Sequence, residues 1–386
     1  MTRRLLLLTA ALLALALVLR PSAVTESPQG FAGPGAEAEG YAEAGPGQPL
    51  RFPDDHGPHP DYRIEWWYLT ANLADEQGQP LGIQWTLFRQ ALAPPDASPV
   101  EPTRPWHSRQ LWMAHAAVSR GERHLVEERF ARGLTLPDAE ARRAQAGAVA
   151  EPFAAWLDDW RLNSRVVDPA GDTFEQLEVS ASGEDAGQPF GYRLTLTAEG
   201  PLVLHGEAGF SQKSADGQGS YYYSQPFWRV EGEVELDGET HRVSGRGWLD
   251  REWSSQLLGP TQQGWDWFSL HLDDGHRLMA FRLRGGGRDG DDYLSGSWIA
   301  PDGSLTPLSG DDLALIPQQT SSAAGREVPT RWRLQLPGQG LDLAVTARHP
   351  ERWMETAFAY WEGEVVAVDH DSGERQGEGY LEMTGY

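Results

Sequence analysis

The 386-residue sequence has no cysteine and a single lysine, Lys213. Without cysteine there are no disulfides and no lipid-modified N-terminal cysteine, so an exported chain of this kind must be held together by its cores. Positive charge is scarce in general. The 32 Lys and Arg residues face 56 Asp and Glu, a formal net charge of −24, which repels nucleic acid and anionic membrane surfaces. No Gly-X-Ser-X-Gly elbow, P-loop or dinucleotide fingerprint is present, which removes the usual signatures of those hydrolases and nucleotide enzymes.

What is present begins with an export signal. Arg3-Arg4 precede the apolar run Leu5–Leu19, and Pro21-Ser-Ala23 supplies a small-residue end. This pattern predicts a signal over residues 1–23, with an uncleaved N-terminal anchor as the alternative. Residues 24–49, rich in Gly, Ala, Glu, Pro and Ser, read as a flexible tether. Order is expected to begin near Leu50.

From there the chain reads as all-β. Its 16 tryptophans favour pleated surfaces, and its 43 glycines and 27 prolines fit many turns. Glu65–Leu73, a polar turn and the alternating Leu81, Ile83, Trp85 and Leu87 form a hairpin signature. It recurs at Trp265–Leu272 and Arg277–Arg284. Trp66 then aligns with Trp265, Thr70 with Ser269 and Leu73 with Leu272, at an offset of about 199 residues. Such spacing indicates two related β domains rather than a solenoid. The predicted division is 50–245 and 246–386, each an antiparallel barrel. Leu136–Glu151 has no convincing apolar face and is expected to be a short helix on a loop.

The chemistry-bearing stretch is Gly245–Gln256 with Gly264–Phe268. Asp250, Glu252 and Asp266 lie there among Trp248, Trp253, Trp265 and Trp267. Carboxyls among indoles lose water and hold their protons more tightly. A protonated acid lined by π faces suits chemistry that forms a cation on an apolar substrate. On a strand Asp250 and Glu252 share a face and Arg251 points the other way. The competing reading is a salt bridge between Arg251 and a carboxylate at a barrel rim. Asp250, Glu252 and Asp266 are the candidate catalytic residues. Glu65, Trp67, Tyr68, His115, Tyr222, Trp248, Trp253 and Trp267 are candidates for lining a ligand site, with ordinary core packing as the alternative.

Two further clusters carry less. Asp54-Asp-His-Gly-Pro-His59 has metal-ligating residue types on a Gly/Pro loop that fixes no ligand angles, and no metal or other cofactor is assigned. Lys213 lies between Ser211 and Ser214, the residue types of a Ser–Lys hydrolase. That loop is expected to be exposed, and a reactive lysine needs desolvation.

Several of these segments together resemble the AttH/CrtC-like family of two-domain lipocalin-like proteins, related to carotenoid 1,2-hydratases. The segments are Phe52–Tyr62 running into Glu65-Trp-Trp-Tyr68, Met113-Ala-His-Ala116, Gly209–Lys213, Tyr221-Tyr-Tyr-Ser224, Trp248–Gln256, Gly264–Phe268, Tyr360-Trp-Glu-Gly363 and Gly379–Tyr386. The resemblance implies two lipocalin-like β domains with apolar cavities. It also implies either addition of water to a terminal isoprenoid double bond or an undetermined exported activity. The family pattern Asp-His-Glu-Trp stands here as Asp250-Arg-Glu-Trp253; an arginine delivers no proton and is expected to hold neighbouring acids ionised. The leading expectation is a periplasmic or secreted protein that binds an apolar isoprenoid or lipid-like molecule and hydrates or hydrolyses it. The competing class is a non-catalytic lipid carrier or chaperone serving a membrane transporter. The sequence leaves association between chains open.

Overall fold

The computed structural model describes residues 39–95, 108–133, 144–165, 173–256 and 262–386. The predicted signal and the first part of the tether lie outside these residues. The described residues form strands, turns and three short 3-10 segments, and none of them forms a helix long and apolar enough to cross a membrane.

The strands are β1 (Ile64–Asp75), β2 (Pro80–Ala91), β3 (Gln110–Arg120), β4 (Arg123–Gly133), β5 (Ala146–Val149), β6 (Ala154–Leu157), β7 (Trp160–Ser164) and β8 (Gln176–Asp185). Next come β9 (Gln188–Ala198), β10 (Val203–Leu204), β11 (Phe210–Gln212), β12 (Gly219–Leu236) and β13 (Glu239–Ser254). The second set is β14 (Gly264–Leu272), β15 (Arg277–Arg284), β16 (Tyr293–Ile299), β17 (Leu305–Ser309), β18 (Ala314–Ala323) and β19 (Arg326–Leu336). It ends with β20 (Leu341–Ala347), β21 (Trp353–Met354), β22 (Tyr360–Asp369) and β23 (Arg375–Thr384).

The first sheet runs β4-β3-β2-β1-β13-β12-β9-β8-β7-β6-β5, with β10 and β11 on β12. Its ends meet, β4 touching β5, β6 and β8, so it nearly closes into a barrel. The second runs β17-β16-β15-β14-β23-β22-β20-β19-β18, with β21 on β22, and forms a half-barrel. Every named pairing is antiparallel. The repeat read in the sequence is architectural: β2-β1-β13-β12 and β15-β14-β23-β22 are the same four-strand arrangement.

Three expectations shift. The changeover between sheets falls after Ser254, not at 245/246, because β13 continues in register with β1 as far as Ile64↔Ser254. Order begins before Leu50: the Ala42 N–H donates to the Asp61 carbonyl, and the Ala42 carbonyl accepts the Ser255 hydroxyl. The helix expected at 136–151 is replaced, where described, by β5, whose Ala-Gly-Ala-Val side chains are small enough to lie buried against β6.

Each sheet fills its concave face with its own core. Trp67, Leu69, Trp85, Trp112, Trp160 and Trp228 pack the first barrel, and Phe268, Leu270, Trp332, Trp361 and Leu381 the second. The ligand cavities expected inside the barrels are, at these positions, occupied by side chains. The two convex faces pack on each other through a third cluster that includes Tyr68, Tyr222, Trp248, Trp267, Phe281 and Tyr380. Hence β1 is buried on both faces instead of alternating buried and exposed. Gly82 permits this approach, since a Cβ there would collide with the Tyr380 hydroxyl and the Glu364 carboxyl from the opposite sheet. The Asn72 side-chain amide donates to the Gly379 carbonyl across the seam at 3.1 Å, and Tyr380 donates to the Ile83 carbonyl at 3.1 Å.

Candidate functional site

Strand alternation decides which residues reach the seam. In β1, β13 and β12 the cross-strand rows Trp66–Glu252–Tyr222 and Tyr68–Asp250–Ser224 face outward. The rows Glu65–Trp253–Tyr221 and Trp67–Arg251–Tyr223 face into the first barrel. In the second sheet Trp265, Trp267, Glu382, Glu362 and Tyr360 face the seam, while Asp266 and Phe268 face inward. A cavity of about 140 Å³ lies between the sheets. Its walls are Trp66, Tyr68, Phe88 and Tyr222 on one side, and Trp265, Trp267, Phe281 and Tyr360 on the other. Asp250, Glu252, Glu382 and Lys213 are its acidic and basic groups, beside the neutral polar side chains of Gln218, Ser220, Ser254, Gln256 and Gln262.

Asp250 is buried. Its Oδ1 accepts the Trp248 indole N–H at 2.7 Å, and its Oδ2 accepts the Tyr222 hydroxyl at 3.0 Å. The Ser224 hydroxyl makes a close contact with Oδ1. Loss of water raises its pKa to about 7, against the opposing pull of these hydrogen bonds, and the neighbouring Glu252 charge adds to the rise. Ser224 also touches His205 Nε2 at 2.6 Å, and His205 Nδ1 lies 2.9 Å from Ser297 Oγ in the other sheet. Burial lowers the pKa of His205 to about 3, with the Lys213 charge adding to the effect, so the ring is neutral. A neutral imidazole has one bare nitrogen. Where this is Nε2, the Ser224 hydroxyl points to it, and the Ser224–Asp250 contact is filled by Asp250's own proton.

Glu252 accepts the Ser220 hydroxyl at 2.5 Å and pairs with the Lys213 ammonium at 3.0 Å. Glu382 accepts the Trp265 indole N–H at 2.6 Å. Burial raises its pKa, assisted by the charges of Asp250 and Glu252. Behind it, Glu362 accepts the Tyr68 hydroxyl at 2.6 Å and is pushed well up by burial and by Glu382. Tyr360 hydrogen-bonds Glu362 and lies 2.9 Å from His115 Nδ1, whose Nε2 reaches half-buried Glu128 at 3.0 Å. A chain of titratable groups thus leads from the seam toward the surface.

The candidates named from sequence separate cleanly. Asp250, Glu252, Tyr68, Tyr222 and Trp267 line the cavity. Trp248 stands behind Asp250, and His115 behind Tyr360. Asp266 does not face the cavity. It is buried against Arg282 at 2.7 Å, Arg284 at 2.9 Å and the Tyr386 hydroxyl at 2.8 Å. Glu65, Trp67 and Trp253 lie inside the first barrel. There Glu65 pairs with Arg89 and, at 2.9 Å, with Arg251, whose guanidinium stacks 3.9 Å from the Trp67 ring centre. Against the cost of burial, Arg89 first, then the His59 hydrogen bond and Arg251, hold Glu65 ionised, well below the usual carboxylate range, and the alternation of the strand carries Arg251 away from Asp250 and Glu252. His59 stacks on Trp253 at 3.8 Å and lies 3.2 Å from both Asp55 Oδ1 and Glu65 Oε2, and His56 stacks on Phe174 at 3.6 Å with its Nδ1 2.7 Å from the Tyr223 hydroxyl, so the two histidines of the Asp-Asp-His-Gly-Pro-His loop tie it to the first barrel by packing and polar contacts. Lys213 lines the cavity, contrary to the exposure expected of its loop.

Glu382, Glu362 and Tyr360 were not among the candidates. The repeat holds the signal for the first of these. Tyr68 pairs with Asp250 across β1 and β13, and Trp267, which the repeat sets opposite Tyr68, pairs with Glu382 across β14 and β23. Asp250 and Glu382 occupy equivalent positions in the two halves.

The AttH-like family matches residues 43–386. The chain belongs to the AttH-like family. The crystal structure of a candidate AttH from Nitrosomonas europaea is similar at 34% identity and a TM-score of 0.73, covering 89% of this chain and 99% of that one. Kievitone hydratase from Nectria haematococca shares the fold at 15% identity and a TM-score of 0.60, covering 90% of this chain and 98% of that one. None of the curated proteins matches this AttH-like chain.

Proposed function

We propose that this AttH-like protein takes one end of an apolar, isoprenoid- or lipid-like molecule into the seam between its sheets and adds or removes water by acid catalysis. The observation that carries this reading is Asp250, a buried carboxyl with a pKa of about 7, facing a cavity walled by aromatic rings. A proton passes from Asp250 to an alkene carbon. The π pair forms the new C–H bond and leaves a cation on the neighbouring carbon. The faces of Trp66, Tyr68 and Trp267 shield that cation. Water adds to it, and its extra proton passes to Glu252. Run backwards, the same groups dehydrate an alcohol, and the same acid serves a hydrolysis. A cavity of about 140 Å³ is close to the roughly 150 Å³ that holds a benzene ring, so it takes a branched terminus while the rest of the ligand extends outward. The name of kievitone hydratase accords with this reading. The apolar start of the chain and its tether support a site of action outside the cytoplasm; a membrane transporter as partner belongs to the alternative reading, a non-catalytic lipid carrier.

Mass spectrometry of an organic extract of the purified protein, before and after incubation with isoprenoid alkenes and alcohols, tests the proposal. A water-adduct product that disappears in Asp250→Asn while ligand retention persists supports catalysis. Loss of a general acid is worth about 10²–10⁴ in rate. Unaltered lipid co-isolated equally by wild type, Asp250→Asn and Glu252→Gln would instead establish a carrier.

A further inference from the structure

Lys213 is the only lysine in the chain, and the acid chemistry above makes no use of its nitrogen as a nucleophile. Its ammonium lies 4.7 Å from the Tyr222 ring centre and 4.4 Å from that of Phe281, one ring from each sheet, and 3.0 Å from Glu252 Oε1. Its backbone is pinned from both halves: the Lys213 N–H donates to the Gln218 carbonyl at 2.7 Å, and the Lys213 carbonyl accepts the Gln262 side-chain amide at 3.1 Å. The amine is thus held at the wall of an apolar cavity beside a counter-ion and near a carboxylic acid, since the Tyr222 hydroxyl bonds Asp250.

We infer that Lys213 is a covalent site, forming a Schiff base with an apolar aldehyde that enters the seam. This goes beyond the hydration reading but rests on the same cavity. Glu252 takes a proton from Nζ. The nitrogen pair adds to the carbonyl carbon as the C=O π pair moves to oxygen, and a proton shifts from nitrogen to that oxygen to give a carbinolamine. Asp250 protonates the hydroxyl, the C–O bond breaks, water leaves, and the nitrogen pair closes the C=N bond. The proton held by Glu252 restores Asp250. One ammonium and one aldehyde become one iminium and one water. The iminium keeps the positive charge at the same place, so Glu252 and the faces of Tyr222 and Phe281 stabilise the product as they do the ammonium. An amine on an exposed loop would lack both the counter-ion and the dry walls that keep water from reversing the last step.

The probe is citral, a branched isoprenoid aldehyde, with cyanoborohydride supplying the hydride that reduces C=N to a stable amine. The expected result is one adduct per chain, of citral mass less one oxygen, on the peptide containing Lys213. It should saturate with citral, be lost in Lys213→Arg, and fall at least about tenfold with excess geraniol, the unreactive alcohol of the same skeleton. The geraniol arm reads the site in the wild-type protein whether or not the variant folds. An adduct confined to the terminal amine, an adduct on Lys213 that geraniol does not suppress, or tryptophan quenching by citral with no adduct would each overturn the covalent site while leaving the cavity reading standing. Absence of both quenching and adduct would overturn the two together.

Discussion

The acid at the seam is tuned by burial, and that makes it visible in stability. Asp250 has a pKa of about 7 in the folded chain against an ordinary 3.8. The native state therefore binds this proton more tightly than the unfolded chain does. The associated stability is fully present below the unfolded pKa and is lost as pH rises through the folded one. At about 1.4 kcal/mol per pH unit, the whole gap corresponds to about 4 kcal/mol, of which about 2–3 kcal/mol falls between about pH 5 and about pH 8. Asp250→Asn removes the titration and keeps the shape. It costs about 1 kcal/mol at all pH values through imperfect pairing with Trp248, Ser224 and Tyr222. Urea unfolding of both proteins at the two pH values isolates Asp250 together with its charge coupling to Glu252 and Glu382, since contributions of distant groups cancel in the difference. The variant should gain about 2–3 kcal/mol relative to wild type from the lower pH to the higher. Parallel pH dependence of the two proteins would mean that Asp250 is ionised or wetted at neutral pH, and the reasoning about its proton would be refuted.

Other substitutions separate the seam from the barrel interiors. Asp266→Asn strips Arg282 and Arg284 of a buried counter-ion and should destabilise the fold by about 3–5 kcal/mol in chemical unfolding, while the ligand affinity of the folded fraction stays unchanged. Glu65→Gln should do the same to Arg89 and Arg251. Because the pKa of Glu65 is depressed, the wild-type advantage over this variant should be largest above the ordinary carboxylate range and shrink as pH falls below it, as unfolding at successive pH values would read. His115→Phe cuts Tyr360 off from Glu128. It should leave ligand binding in place and slow hydrogen–deuterium exchange of the buried Glu362/Glu382 carboxyls, followed by their infrared carbonyl bands.

The fold was legible because strand alternation and turn residues are local signals. The hairpins at β1–β2 and β14–β15 stand where the apolar period predicts them. Even the opposed directions of Asp250 and Arg251 follow from period two. What alternation does not state is which face of a strand meets its own core and which meets another sheet. β1 carries large aromatics on both faces, so Glu65, Trp67 and Trp253 read as well as cavity residues as Trp66 and Trp265 do. Asp266 shares the composition of its neighbours but points the other way from Trp265 and Trp267, and finds two arginines there. Glu382 and Glu362 stand more than a hundred residues from Asp250, and only sheet pairing brings them to the seam. The loop of Lys213 is polar in sequence yet is captured between the halves, which composition alone does not reveal.

The contact between the two convex faces also assigns ownership of the acidity. A first half prepared alone would present Trp66, Tyr68, Tyr222 and Trp248 to water, and Asp250, hydrated, would revert to an everyday aspartate. The proton is lent by the partnership of the two sheets, so anything that prises them apart, a bulky ligand included, disarms the acid as it opens the door.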